Sequence, residues 1–417
     1  MRVAIVGAGV SGLVAAHTLR ERHEVTVYEA GSYPGGHTNT IRVDTADATH
    51  HVDTGFIVFN DRNYPRFERL LEELGVAGQP SEMSFSVSNG NGFEYSGSSP
   101  NGLFARRRHL VSPAFHRMIR DLVRFNREAR ALVGTNGGGP SLGAFLEEGG
   151  YSPQFAERLI VPQMSAVWSA DPEQAWAFPA SFLAEFFDNH GMFELRGRPR
   201  WRTVSGGSAR YVEALTAPFR DRIRLNAPVR RIERVDGGVD VTVDGAGPER
   251  YDEVVLAVHA DQALAMLADP SPAEHELLGA IPYVPNEAVL HTDRSQLPRR
   301  RRAWASWNFH LGEHAPGRTA VTYHMNRLQS LDSGDDYCVT LNRTDLIDPE
   351  RMIRRIPYAH PVFTPEGIAA QGRWHEISGV NRTHYCGAYW GFGFHEDGVR
   401  SAHRACELLD APRGTGA

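Results

Sequence analysis

The first 29 residues constrain this chain more than any other stretch. Arg2, Val3, Ala4, Ile5 and Val6 make a short apolar run rich in β-branched side chains, the pattern of a buried parallel strand. Gly7, Gly9 and Gly12 follow as G-x-G-x-x-G, with Val10 and Ser11 inside the repeat. In a strand–turn–helix setting the first glycine permits the tight turn. The second lets backbone approach a pyrophosphate, and the third lets the helix pack close on the sheet. A helix is predicted over 13–19, its N–H groups and dipole facing an anion. A second strand over 24–28 delivers Glu29, followed by Ala30, roughly 20 residues past the glycines, where a carboxylate accepts hydrogen bonds from a ribose diol. Strand, turn, helix, strand and acid in that order read as a dinucleotide site. A glycine-rich turn alone leaves the placement of Glu29 unexplained.

Composition narrows the rest. At 417 residues, 41% apolar and 23% charged, the chain has an ordinary globular make-up with room for two or three domains. A formal charge of -6 gives no footprint for nucleic acid. All 44 basic residues of the Lys+Arg count are arginine. Cys338, Cys386 and Cys406 suggest no disulfide framework, so a reducing cytoplasm is expected. No signal peptide and no bilayer-spanning run are expected, and no metal ligand set. A helix predicted over 113–133 carries Arg117, Arg120, Arg124 and Arg127 on one face. It reads as a solvated surface helix or as a peripheral membrane contact. A loop is expected around 135–140.

After Glu29 the chain continues AGSYPGGHTNT, and Asp53-Thr54-Gly55 comes later. These phrases resemble the second signature and the Asp-x-Gly turn of the flavoprotein amine oxidase and phytoene desaturase superfamily. That resemblance selects non-covalent FAD over NAD. It implies that Gly35 and Gly36 pass close to the cofactor, with His37 where the family usually has arginine, then Thr38. Ser205-Gly206-Gly207-Ser208, a helix over 209–219 and Ala227-Pro228-Val229 look like the family's second FAD segment, with Val229 against the adenine through its backbone. Gly387 and the run Phe394-His395-Glu396 before a helix over 399–409 look like the third. There a helix N-terminus supports negative charge on the flavin pyrimidine.

The implied fold is α/β, a Rossmann-like FAD-binding domain of the glutathione reductase type with an α+β substrate domain inserted in two segments. The expected FAD-binding domain is 1–62, 200–263 and 372–417, and the substrate domain 63–199 and 264–371. Phrases such as VDTGFIVFN, YHMNRLQ and GFGFHEDG further resemble a bacterial subgroup found beside or fused to cyclopropane fatty acid synthases. That resemblance implies an unsaturated or methylated acyl substrate and a lipid methyltransferase partner.

The expected chemistry is hydride transfer between an apolar substrate carbon and flavin N5. Amine oxidases of the superfamily usually hold a water near N5 with a lysine, which this chain lacks. An amine oxidase, a redox-neutral isomerase and an accessory flavoprotein remain alternatives. Tyr323 and His360 are the preferred polar groups of the pocket, with His324 and Asn308 behind them. Tyr323 and His324 point to opposite sides of one strand, and each of the four reads equally as a hydrogen-bonded core residue. The large aromatic groups between 167 and 193 read as core or as the wall of an apolar cavity.

Overall fold

A computed structural model describes residues 1–135, 139–168, 172–194, 197–312 and 318–411, so residues 136–138 of the loop expected around 135–140 lie outside them. The strand Arg2–Val6 pairs in parallel with Glu24–Tyr28 on one side and Glu253–Leu256 on the other. Ile223–Arg224 and Thr383–Tyr385 complete a five-stranded parallel sheet. Helix Val10–Leu19 follows the first strand and packs against the last helix, His395–Asp410. The fold is the expected mixed α/β architecture.

One strand is predicted over 251–258, but the chain changes sheets within it. Tyr251 closes an antiparallel meander of Val229–Val235, Gly238–Val243 and Pro248–Tyr251, and Glu253 opens the parallel strand. Asp252 holds the crossing: its carboxylate accepts from the Arg2 N–H at 2.7 Å.

The second large sheet has seven strands in the order Met352–Pro361, Tyr283–His291, Cys338–Leu341, Val321–His324, Trp307–His310, Phe85–Ser88 and Glu94–Ser96. The last two are the expected hairpin around Asn89–Gly92. Helices from 113 to 189 share an apolar core with this sheet. The long helix runs Pro113–Glu128, capped by Ser112, and tightens to a 3₁₀ turn at Ala129–Leu132. Its basic face is partly neutralised from within: Arg117 and Arg124 pair with Asp121, and Arg124 and Arg127 with Glu128.

The helix predicted over 151–168 is broken by a π turn at Ala156–Ile160. Pro162 has no N–H to give Arg158 four residues back. The Arg158 carbonyl accepts instead from the Tyr95 hydroxyl at 2.9 Å.

Just past the expected cuts at 62/63 and 263/264, helix Pro65–Glu73 shares an apolar cluster through Phe67, Leu70 and Leu71 with Val3, Ile5 and Leu13, and helix Pro272–Gly279 shares one through Leu277 and Leu278 with Val229 and Val254. Among the described residues no helix is long and apolar enough to cross a membrane.

Candidate functional site

One wall of the site is made by removing side chains. Gly7 sits at φ +101°, a conformation that L side chains rarely adopt. A Cβ on Gly12 would stand 1.9 Å from the Gly7 carbonyl oxygen, so the helix packs on the turn only without one. A Cβ on Gly9 would meet nothing within 4 Å, so open space lies there. Helix Val10–Leu19 starts at Gly9 without a side-chain cap, so no side chain claims its first-turn N–H groups. The Glu29 carboxylate is fixed at the mouth by N–H groups of Ala8 at 2.8 Å and Gly31 at 2.7 Å. Asn226 and Ala227 bond along Gly31 and Glu29, which brings Val229 to the same end; Ala30 is exposed. Gly35 donates to the Ala8 carbonyl, and a Cβ on Gly36 would lie 3.2 Å from the Gly9 Cα. The second glycine pair thus lies directly on the first.

The third segment joins them from behind. His395 is buried, stacked on Phe56 at 3.5 Å, with Nε2 at 3.0 Å from both the Thr38 and the Tyr211 hydroxyls. Burial holds it neutral, well below the usual imidazole range. The expected cofactor role of Glu396 needs correction for its side chain. That carboxylate accepts from the N–H groups of Arg66 and Phe67 and pairs with the Arg66 guanidinium, capping helix Pro65–Glu73. At Gly387 a Cβ would meet the Tyr389 ring at 2.2 Å, and the Gly387 N–H donates to Ser401 Oγ. Phe394, half-buried, opens the helix.

Asp53 ties the pieces together. It accepts from Ser208 N at 2.9 Å, Ser208 Oγ at 2.7 Å and Gln329 Nε2 at 2.9 Å, and from Thr40. Burial pushes its carboxyl up to about 6 against the pull of the Thr40 and Ser208 bonds.

A second wall, beside the second glycine pair, is made of imidazoles. His37 stacks on Tyr358 at 4.7 Å and lies 5.4 Å from His360 and 6.3 Å from His259, ring centre to ring centre. His259 stacks on Tyr283 at 4.2 Å. These histidines lie deep in the molecule yet keep part of their surface accessible, as cavity walls do. Burial lowers His37 and His259 to about 4 and His360 to about 3; His259 adds to the lowering of His37, and His37 and His259 to that of His360. His360 is bonded to Asn286, and Asn286 to Asn342.

The other expected catalytic groups do not join this wall. His324 pairs with Asp336 at 2.9 Å and meets Trp304 edge-on, in an open groove lined also by Glu82 and Arg327. Asn308 is fully buried and bonds to Ser86 Oγ, Ala305 N and O, and the Thr322 carbonyl, which occupies its amide. Tyr323 faces the core against Trp307. Register carries Tyr323 through Val339 and Leu290 to Arg354, six residues along the strand from His360. That is about 20 Å along and about 14 Å across the sheet, too far to share one reacting centre.

Sequence reading missed Asn286, Asn342 and Tyr358. Val284, Asn286, Ala288 and Leu290 alternate toward one face of their strand, and a polar residue in that apolar series was the available signal for Asn286.

The open space at Gly9, the uncapped helix, the anchored Glu29 and the half-exposed walls fit an extended dinucleotide. The family profile described as flavin containing amine oxidoreductase matches residues 10–322. AofH of Mycobacterium tuberculosis, by name a flavin-containing monoamine oxidase, is 28% identical over 290 residues, 66% of this chain and 61% of that protein. The chain thus spans about three fifths of that curated relative. Cyclohexylamine oxidase from Brevibacterium oxydans superposes with a TM-score of 0.69 at 17% identity, covering 98% of this chain and 99% of that one. A CLA-producing fatty acid isomerase from P. acnes gives 0.68 at 16%, covering 98% and 97%. Likeness at that identity concerns the fold.

Proposed function

Because the chain belongs to the flavin containing amine oxidoreductase family, we propose that it is an FAD-dependent oxidoreductase acting on an apolar carbon chain, an unsaturated or methylated acyl group above all. Bound FAD supplies the hydride acceptor. Gly7, Gly9, Gly12, Gly35 and Gly36 give the pyrophosphate its backbone cradle, and Glu29 takes the ribose diol. With FAD bound, the substrate would lose a hydride to it and a proton to solvent, with oxygen or another acceptor as the final oxidant, or, in an isomerisation, with the hydride returned to a different carbon.

A ring array carries this reading. Trp168, Phe182 and Phe186 meet Phe392 and Phe394 of the last cofactor segment, with Phe182 4.8 Å from Phe392 and Phe186 5.6 Å from Phe394. Trp168 Nε1 donates to the Phe392 carbonyl at 3.1 Å. Rings of this kind beside the last cofactor segment would give an apolar chain water-poor surroundings. The group of His37, His259, His360, Tyr358 and Asn286 is uncharged, so a protonated amine would lack a counter-charge there.

Anaerobic mixing with methylated and polyunsaturated lipids should bleach the oxidised flavin band and alter the lipid. No bleaching across such a panel contradicts the reading. The names of AofH and cyclohexylamine oxidase favour a second one, oxidation of a small amine, which predicts peroxide release with amines. Turnover only in a mixture with a lipid methyltransferase would instead make the chain that enzyme's flavin-carrying partner.

A further inference from the structure

We propose that His360 is locked as a neutral imidazole with its proton on Nε2, and that it serves the cofactor site as a hydrogen-bond donor and not as a base. Asn286 and Asn342 are the positioning residues that impose this. The inference rests on the flavin site proposed above.

Backbone groups have fixed hydrogen-bonding roles. The Glu287 N–H meets the Asn342 side chain at 3.0 Å. An N–H can only donate, so the amide oxygen of Asn342 faces it. The other side of that amide lies 2.9 Å from the Thr319 carbonyl, which can only accept, so the NH₂ faces there. Both constraints give the same orientation, and the amide needs no assumed flip. The Asn342 NH₂ also reaches Asn286 at 2.6 Å, so that contact is the Asn286 oxygen. The Asn286 NH₂ is then turned to His360 Nδ1, at 2.9 Å, and to the Val284 carbonyl. His360 Nδ1 must present a lone pair, and the ring proton sits on Nε2. An imidazolium would set an N–H against the Asn286 NH₂, donor against donor.

The sheet makes this chain possible. Val284 pairs with His360 and Asn286 with Tyr358, so Asn286 and His360 are diagonal neighbours on one face. Asn342 ends the next strand at φ +56°, a conformation asparagine tolerates better than most residues.

His37 lies beside it, ring centre to ring centre 5.4 Å, with Nε2 buried and without a partner. The ribityl chain of FAD is rich in hydroxyls, and such an oxygen accepts from a protonated Nε2 of His360. The titratable groups around His360 are His37 from the glycine loop, His259 from the end of its strand with Tyr283 stacked on it, and Tyr358 on its own strand. None brings a carboxylate that would favour the cation.

The test is nitrogen NMR on protein labelled in histidine, with His360→Gln assigning the signal. In the holoprotein His360 should show a protonated Nε2 and an unprotonated Nδ1, unchanged between pH 8 and pH 5.5. A proton on Nδ1, or ordinary titration in that range, overturns the proposal. Asn286→Asp keeps the shape but accepts a proton at Nδ1. It should switch the tautomer and bring a titration into the same window, and no change in tautomer would also overturn the assigned chain. Removing and restoring FAD separates the two parts. The tautomer should persist without cofactor, and the Nε2 signal should move when FAD returns. A fixed tautomer with no movement would refute the donor role while leaving the lock. Protein that takes up no FAD would refute the flavin reading itself.

Discussion

The two walls of the proposed cofactor site are built by opposite means. On one side Gly7, Gly9, Gly12 and Gly36 have no side chain, so backbone is what the proposed FAD would meet. On the other stand the rings of His37 and His360, the latter oriented by a group as far away in sequence as Asn286. The glycine wall fails if any bulk is added. The imidazole wall keeps its shape under many substitutions but changes what it donates and accepts. The first should therefore decide whether cofactor is held, and the second what happens to it.

Substitutions that break this contrast rank by size. Gly12→Ala should have the largest effect, since its Cβ would press on the Gly7 carbonyl backbone. The purified variant should be colourless and take up no FAD. His360→Leu, which removes the Nε2–H donor, should keep its colour yet reduce more slowly with substrate, by about 10-fold for one lost hydrogen bond. Equal loss of colour in both variants would erase the distinction between the walls.

Smaller effects sharpen it. On the other face of the seven-stranded sheet a second polar chain runs from His291 through Thr340 and Thr322 to His310, with steps of 2.7, 2.8 and 2.8 Å. Thr322→Val interrupts it and should lower stability by about 1–3 kcal/mol, seen as a reduced Tm, without changing the flavin spectrum. Acid should act through the imidazole wall. His37, His259 and His360 have pKa values lowered to about 4, 4 and 3, below the ordinary 6.5. The stability tied to their neutral forms is present above pH 6.5 and is lost as the pH falls toward 4. Asp53, raised to about 6, works the other way and gains as the pH drops through that value. Three groups against one predict a net fall in Tm between pH 7 and pH 5. His324→Gln should do least, leaving colour and reduction rate as they were.

The same contrast explains what was legible in the sequence. Gly7, Gly9, Gly12 and Glu29 are local: strand, turn and helix lie within 29 residues, and backbone geometry demands glycine at fixed offsets. The imidazole wall is assembled across strands. Nothing near His360 in sequence says that Asn286 will be its diagonal neighbour or that Asn342 will orient that amide. Tyr323 looked equivalent to His360 because both are polar groups on strands of the substrate side. Only the register separates them, by three strand spacings and six residues. The side-chain partners of Glu396 were hidden for a related reason: its position at a helix start was clear, but the helix its carboxylate caps, Pro65–Glu73, comes from the other end of the chain.

The central claim is that three distant pieces of this chain close around one FAD. Titrating the purified, cofactor-stripped protein with FAD tests it most directly. The account predicts saturable uptake of one FAD per chain with a perturbed flavin absorption band, abolished in Gly12→Ala. Protein that stays colourless, or binds FAD equally well with that alanine in place, would contradict it.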